Sequence, residues 1–131
     1  MAAVEKPRVF VSFDYDNDED VKNLFVGQSR LEGSPFGMED WSVKQTLSGD
    51  WKSKVHAKIK MTDKVIVLCG AKTDSAAGVS EELRIARRAG IPYFLVRVRG
   101  DKSRKPKAAQ SLDKMHDWDW PTLKRLIGVR R

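Results

Sequence analysis

The chain has 131 residues, 40% of them hydrophobic, and a formal net charge of +7. This length corresponds to one domain, and the single cysteine, Cys69, excludes an intramolecular disulfide framework and a cysteine-rich zinc site. The apolar runs are far shorter than the ~20 residues that span a bilayer, and residues 1–8 lead into no signal-peptide core. These features predict a small cytoplasmic protein with no membrane segment.

Apolar segments typical of buried strands alternate along the chain with segments of helical periodicity. The strands are predicted at residues 8–13, 65–69 and 92–98, with shorter ones near 41–43 and 115–118. Apart from that short strand, residues 28–49 are predicted to be irregular, because they are rich in Gly, Ser and Pro.

Four helices are expected between and after these strands. The first ends near Gly27, the second begins at Asp50, the third covers about 75–89 with Gly90 as its C-cap, and the last opens at Pro121. His56 of the second helix is expected to face solvent. The predicted core-facing residues of the first, second and fourth helices are Val21, Leu24 and Phe25; Trp51, Val55 and Ile59; and Leu123, Leu126 and Ile127.

Strands alternating with helices predict a single α/β domain, a doubly wound parallel sheet of four or five strands. The domain is assigned to residues 7–128, with 1–6 and 129–131 as terminal extensions. In such sheets ligands bind beyond the carboxyl ends of the strands. The candidate site therefore lies among residues 12–20, 41–50, 70–82 and 99–105.

Glu82 interrupts the apolar side of the third helix. At about 100° per residue, with Val79 at zero, Leu83 lies near +40° and Glu82 near −60°, whereas Glu81 points to the opposite side. A carboxylate inside an apolar arc is costly unless it is paired, protonated or functional. The pattern leaves two interpretations open, a functional carboxylate and a structural one that bonds a loop or an arginine.

Acidic residues follow the first strand. One interpretation is Mg²⁺ or ribose-hydroxyl binding at the strand ends, and the other is capping of the next helix in a solvated loop. Metal-ligand spacing is not found at His56 or His116, and no glycine-rich phosphate loop is present. Cys69 is interpreted as a buried strand residue rather than a nucleophile. The acidic residues are Asp14, Asp16, Asp18, Glu19 and Asp20.

Several segments together resemble the TIR-like family of bacterial and archaeal proteins, including its Thoeris anti-phage members. The resemblance covers roughly residues 7–128 and rests on an ordered set of motifs rather than on one. In chain order the matching features are residues 9–16 with Asp18, Trp51, Thr62-Asp63, 65–70, Thr73, Glu82-Leu83 with Ala86, Ile91-Pro92 and 117–120.

The resemblance implies a flavodoxin-like TIR fold and cleavage of the nicotinamide–ribose bond of NAD⁺, a substrate, with no further cofactor and no metal. Thoeris-type members make a cyclic ADP-ribose signal that activates a separate effector protein, and TIR–TIR contacts imply a homo-oligomer. The family's catalytic glutamate maps onto Glu82. The implied substrate-binding residues are Phe13, Asp14, Tyr15, Trp41, Ser42 and Thr73.

One departure from the family concerns Gly78, which stands where many members carry an aromatic residue four positions before the glutamate. This departure favours a second hypothesis, a non-catalytic interaction module. Fourteen Lys and Arg residues against four Asp and Glu in residues 84–131 prompt a third, a nucleotide or nucleic-acid binder. Nucleic acid is the weaker expectation, and a solvated surface explains the charge equally. The basic residues concerned are Arg97, Arg99, Lys102 and Arg104.

Overall fold

A computed structural model describes residues 7–29, 37–41 and 50–127, with backbone alone for Ser29, 37–41 and Trp120. Within these residues the chain forms five strands and four helices, which alternate except that no helix separates the last two strands. Short 3₁₀ turns lie at Thr73–Ser75 and Gly100–Lys102. The strands are β1 (Arg8–Ser12), β2 (Gly37–Trp41), β3 (Lys64–Cys69), β4 (Tyr93–Arg97) and β5 (Met115–His116). The helices are α1 (Tyr15–Ser29), α2 (Asp50–Lys60), α3 (Ala77–Arg88) and α4 (Trp120–Ile127).

All neighbouring strands pair in parallel, in the order β2-β1-β3-β4-β5. This order confirms the predicted doubly wound sheet. From β1 the chain moves to β2 on one side and later to β3 on the other. The crevice outside the carboxyl ends of β1 and β3 is therefore the topological switch point, where α/β sheets of this kind bind ligands.

Both faces of the sheet are buried, because alternate residues of β1 and β3 point to opposite sides. On the α1–α4 face, Val9, Val11, Ile66 and Leu68 pack with residues of α1 and α4. On the α2–α3 face, strand residues pack with residues of the other two helices. The apolar cluster of the α2–α3 face includes Phe10, Val65, Val67, Trp51, Val55, Ile59, Val79 and Leu83.

The first helix differs from its prediction at two points. Leu24 is 63% exposed, since the buried side of α1 runs through Val21, Phe25 and Val26 and leaves Leu24 outside it. The helix also continues past Gly27 to Ser29, because a helical glycine costs only ~1 kcal/mol relative to alanine.

The other boundaries change the predicted layout slightly. The predicted irregular stretch contains the end of α1 and all of β2, which ends at Trp41 rather than beginning there. Residues 42–49 lie outside the described part of the chain. The third helix begins at Ala77, after the 3₁₀ turn, and ends beside Gly90, whose φ of 71° matches its predicted C-cap role.

Two further predictions concern the solvent exposure of His56 and the length of the helices. His56 is half-buried rather than facing solvent. Among the helices that the structure describes, none is long and apolar enough to cross a membrane.

Candidate active site at the carboxyl edge of the sheet

Glu82 and Ser12 meet at the end of β1. Ser12 is the last residue of β1 and lies on the same face as Phe10, two residues before it, so its hydroxyl points toward α3. The Ser12 hydroxyl donates a hydrogen bond of 2.7 Å to Oε1 of Glu82. Glu82 is only 1% exposed, although its helix neighbours Val79 and Leu83 enter the apolar cluster. The predicted position of this carboxylate within the apolar arc is confirmed.

The adjacent glutamate shows what an ordinary surface residue does on this helix. Oxygens of the Glu81 carboxylate lie 3.5 Å from Arg84, 3.9 Å from Arg88 and 4.0 Å from Lys52. Ion pairs of this exposed kind are worth little. Two consecutive glutamates therefore have opposite environments, and only Glu82 is held inside the protein at the strand ends.

Asp14 serves as the cap of α1. Its carboxylate accepts hydrogen bonds from the Asp16 backbone N–H at 3.2 Å and from the Asn17 side chain at 2.7 Å. Its backbone oxygen accepts from the N–H of Asp18 at 2.8 Å. This arrangement agrees with the capping interpretation of the acidic segment. Within the described residues, no group of three or more His, Cys, Asp or Glu side chains is arranged to hold a metal ion.

Phe13 and Tyr15 lie on the other side of β1 from Glu82. Phe13 is 2% exposed and belongs to the apolar cluster of the α1–α4 face, with its ring centroid 6.0 Å from that of Tyr15. Tyr15 is partly exposed, and the neighbouring Glu19 carboxylate raises the pKa of its hydroxyl. The structure does not bring Phe13 together with Glu82, and its role in substrate binding stays a prediction.

Thr73 stabilises the turn that leads from β3 to α3. Its hydroxyl accepts a hydrogen bond of 2.7 Å from the Gly70 backbone N–H, and its side chain is fully buried. The backbone oxygen of Thr73 accepts from the N–H of Ala76, the residue before α3. Thr73 therefore shapes the approach to the Glu82 helix, and a direct contact with substrate stays a prediction.

Asp18 and Arg99 form the second polar contact at this edge. Arg99 Nε lies 3.2 Å from Oδ1 of the buried Asp18, and its Nη2 lies 2.8 Å from Asp20. Burial raises the pKa of the Asp18 carboxyl, an effect that the Arg99 guanidinium partly offsets. The backbone of α1 leaves helical geometry at Asp18, with φ of −123° and ψ of 19°.

Two of the four basic residues considered for nucleic-acid binding form ion pairs within the protein. Arg99 is held by Asp18 and Asp20. Arg97 lies 3.2 Å from Asp117 and donates to the Met115 backbone oxygen at 2.9 Å. Lys102 and Arg104 are exposed.

Of the three further candidates Cys69, Trp41 and Ser42, the structure describes the side chain of Cys69 alone. Cys69 is fully buried, and burial raises the pKa of its thiol to about 12, which agrees with its interpretation as a strand residue rather than a nucleophile. Trp41 ends β2 at the carboxyl edge, but its side chain is outside the described part of the structure, as is all of Ser42. Their predicted roles stay predictions.

Ser12 and Arg99 lie within the predicted site ranges, but the sequence analysis did not predict the contacts that they make. Ser12 is a polar residue at an inward position of an otherwise apolar strand, and that alternation would have indicated it. Arg99 lies some eighty residues from its partners Asp18 and Asp20, and no local pattern reveals such a pairing.

A comparison with known families identifies the domain. A family model described as the TIR-like domain of the Thoeris protein ThsB matches residues 10–103. The chain belongs to this family. The match includes Ser12 and Glu82, so both residues of the contact at the end of β1 lie inside this TIR-like domain.

A solved SEFIR structure shares the fold of this chain at low sequence identity, and two other solved structures match it more weakly. A prokaryotic SEFIR domain matches this TIR-like domain with a TM-score of 0.57 and 16% identity, over 93% of this chain and 92% of the SEFIR chain. The glutaminase domain of Trypanosoma brucei CTPS with bound acivicin has a TM-score of 0.47 and 19% identity, over 70% of this chain and 36% of its own. The TIR domains of the activated Roq1 resistosome have a TM-score of 0.47 and 21% identity, over 70% of this chain and 57% of theirs. No curated protein matches this chain.

Proposed function

We propose that this TIR-like domain cleaves the nicotinamide–ribose bond of NAD⁺ and that Glu82 is its catalytic carboxylate. The observation that carries the proposal is the Glu82 side chain, 1% exposed and bonded to Ser12 at the switch point of the sheet. Burial of a carboxylate costs free energy, and such groups concentrate at functional sites. Membership of the ThsB family supports the same reaction.

A carboxylate held in one position can assist cleavage of the nicotinamide–ribose bond. When the N-glycosidic bond breaks, its electron pair leaves with the nicotinamide nitrogen and positive charge develops on the ribose. A carboxylate beside the sugar stabilises that charge, and the Ser12 hydrogen bond keeps Oε1 of Glu82 in one position. Water then attacks the ribose C1′ and loses a proton, which gives ADP-ribose. Attack by a nucleophile of the same molecule gives cyclic ADP-ribose instead.

The family supports the cyclic product as a diffusible signal for a separate effector protein in anti-phage defence. NAD⁺ is the substrate in this scheme, and the reaction needs no further cofactor. We also propose self-association through TIR–TIR contacts. Among the candidate binding residues whose side chains are described, Tyr15 is the most exposed.

The test compares two neighbouring variants, Glu82→Gln and Glu81→Gln. Each protein is incubated with NAD⁺ at low and high protein concentration, and nicotinamide, ADP-ribose and cyclic products are measured by mass spectrometry. Glu82→Gln keeps an acceptor for Ser12 but loses the charge, and we expect nicotinamide release to fall by about 10²–10³-fold. Glu81→Gln removes only surface ion pairs and should keep wild-type turnover. Unchanged turnover in a folded Glu82→Gln protein would overturn the proposal.

Gly78 favours a second candidate function, a non-catalytic interaction module. The family's aromatic side chain is missing at this position, one helical turn before Glu82. This function predicts no nicotinamide release by the wild-type protein at any concentration, together with a stable complex with a partner protein. Substitution of Glu82 would then leave the complex intact.

A further inference from the structure

The first turn of α2 lies beside the part of α3 that carries Glu81 and Glu82. Helix α2 follows the carboxyl end of β2 and returns toward the start of β3, so it begins at the same edge of the sheet as the Ser12–Glu82 contact. Its second and third residues are Trp51 and Lys52. Lys52 Nζ lies 4.0 Å from Oε1 of Glu81, the residue next to Glu82. Trp51 is therefore at the start of the helix that contacts α3 at the candidate catalytic position.

The indole N–H of Trp51 is a buried donor. The side chain is 6% exposed and belongs to the apolar cluster of the α2–α3 face, with Phe10, Val79 and Leu83. Within the residues that the structure describes, Trp51 Nε1 has no hydrogen-bond partner. A buried polar group without a partner costs ~1–3 kcal/mol, which is a reason to ask what accepts this hydrogen bond.

The direction of the side chain and its surroundings restrict the acceptor. Side chains on a helix lean toward its N-terminus, which for Trp51 is the carboxyl edge of the sheet. The indole nitrogen can only donate, and its apolar neighbours disfavour a charged phosphate. A neutral oxygen carried by a flat ring suits this environment.

We propose that the Trp51 indole N–H donates a hydrogen bond to the carboxamide oxygen of the nicotinamide group, which makes Trp51 a substrate-binding residue. This inference rests on the proposed function and extends it to the leaving group. Glu82 contacts the ribose, and Trp51 holds the ring that departs. The hydrogen bond orients nicotinamide before the glycosidic bond breaks.

Trp118 provides a matched control on the opposite face. Its indole N–H already donates to Oε1 of Gln28 at 3.1 Å, and its ring lies against Phe25. Trp118→Phe removes a hydrogen bond within the protein, whereas Trp51→Phe removes a donor that has no partner among the described residues. The two substitutions are chemically identical, and they should have different consequences.

The experiment measures binding in the Glu82→Gln background, where turnover does not interfere. Calorimetric titrations use NAD⁺, nicotinamide and ADP-ribose, with Trp51→Phe and Trp118→Phe added singly. We expect Trp51→Phe to weaken NAD⁺ and nicotinamide binding about 5–30-fold. ADP-ribose, which lacks the nicotinamide ring, should bind as before. The melting temperature checks that Trp51→Phe, which also loses buried ring volume, still folds. Trp118→Phe should melt lower than its parent with all three affinities unchanged.

The outcomes separate this inference from the proposed function. Equal loss of NAD⁺ and ADP-ribose affinity in Trp51→Phe, or no loss at all, overturns the inference. The Trp51→Phe variant is also made without the Glu82→Gln substitution. If that variant cleaves NAD⁺ with wild-type kcat and KM, the inference is overturned and the proposed function stands. The opposite result is also possible: nicotinamide binds and its binding depends on Trp51, but the wild-type protein never cleaves NAD⁺. In that case the inference holds and the catalytic proposal fails.

Discussion

The carboxylate of Asp18 occupies the space in which a side chain at position 70 would lie. A Cβ atom built on Gly70 would stand 2.1 Å from Oδ2 of Asp18 and 2.4 Å from Oδ1. Gly70 directly follows β3, and its N–H donates a hydrogen bond to the Thr73 hydroxyl in the turn before α3. The contact thus joins the first turns of α1 to the segment that leads to Glu82.

Gly70→Ala is therefore expected to destabilise the protein. The added methyl group must displace either the Asp18 side chain, which Arg99 holds, or the backbone of the turn. Overpacking of this kind costs ~1–3 kcal/mol, measured as the free energy of unfolding in urea. Gly27→Ala is the control, because nothing lies within 4 Å of its Cβ position and alanine is the better helix former. It should be neutral or stabilising, and a Gly70→Ala protein as stable as wild type would contradict the close contact.

Ser12→Ala is expected to cost stability through Glu82. The variant removes the hydroxyl that donates to a buried carboxylate, and hydrogen bonds to charged groups contribute ~1.5–3 kcal/mol. In a double-mutant cycle with Glu82→Gln, the combined loss should be smaller than the sum of the single losses. Chemical denaturation of the four proteins gives the coupling.

Ser80→Ala is the control for that cycle. Ser80 is also buried, but its hydroxyl accepts a hydrogen bond of 3.1 Å from the backbone N–H of Ala108, away from any carboxylate. Its loss should be ~1 kcal/mol and additive with Glu82→Gln. Additive losses for Ser12 and Glu82 as well would show that the charge of Glu82 adds nothing to their hydrogen bond.

The sequence pattern correctly predicted the buried position of Glu82 but not the exposed position of Leu24, and both outcomes have a physical reason. Glu82 was found because helical periodicity repeats every few residues, and a carboxylate inside an apolar arc breaks a local rule. Leu24 was misassigned by the same rule, because residues just outside the buried arc of α1 have nearly the periodicity of those inside it. Helical spacing alone does not show how wide the buried arc of a surface helix is.

The local sequence pattern could not predict contacts between residues that lie far apart in the chain. The Asp18–Arg99 pair joins residues 81 positions apart, and the Ser12–Glu82 bond spans 70. Both depend on which strands become neighbours, and that follows from the packing of the whole sheet. The strand-end rule predicted the region where these residues meet, without predicting which side chains pair there.

Asp18→Asn is expected to change how stability depends on pH. Burial raises the pKa of Asp18, so the folded state binds the proton more tightly than the unfolded chain does. Its contribution is therefore fully present below the ordinary aspartate pKa and is lost as pH rises through the raised value. Relative to Asp18→Asn, the wild-type free energy of unfolding should fall as pH rises above the ordinary aspartate pKa of about 4.

Asp20→Asn should show the opposite sign. Its hydrogen bond to Arg99 lowers the pKa of the Asp20 carboxyl, so its contribution is present at neutral pH and is lost on acidification. Unfolding curves collected from acid to neutral pH for the wild type and both variants test the pair. The free energy of unfolding of the wild type minus that of Asp18→Asn should fall with pH. A difference that stays constant or rises with pH would contradict the burial of the Asp18 carboxylate.

Cys69 is expected to be inert in the native protein. The thiol is fully buried and has a pKa of about 12, so at pH 8 about one molecule in 10⁴ carries a thiolate. A disulfide reagent such as Ellman's reagent should modify no thiol in native buffer over an hour and one thiol per chain at once in denaturant. Cys69→Ala should react in neither condition and should give the same result as the wild type in the NAD⁺ assay, since the proposed chemistry assigns this thiol no role. Rapid labelling of the folded wild type would mean that the end of β3, beside the Asp18–Gly70 contact, opens far more readily than its packing implies.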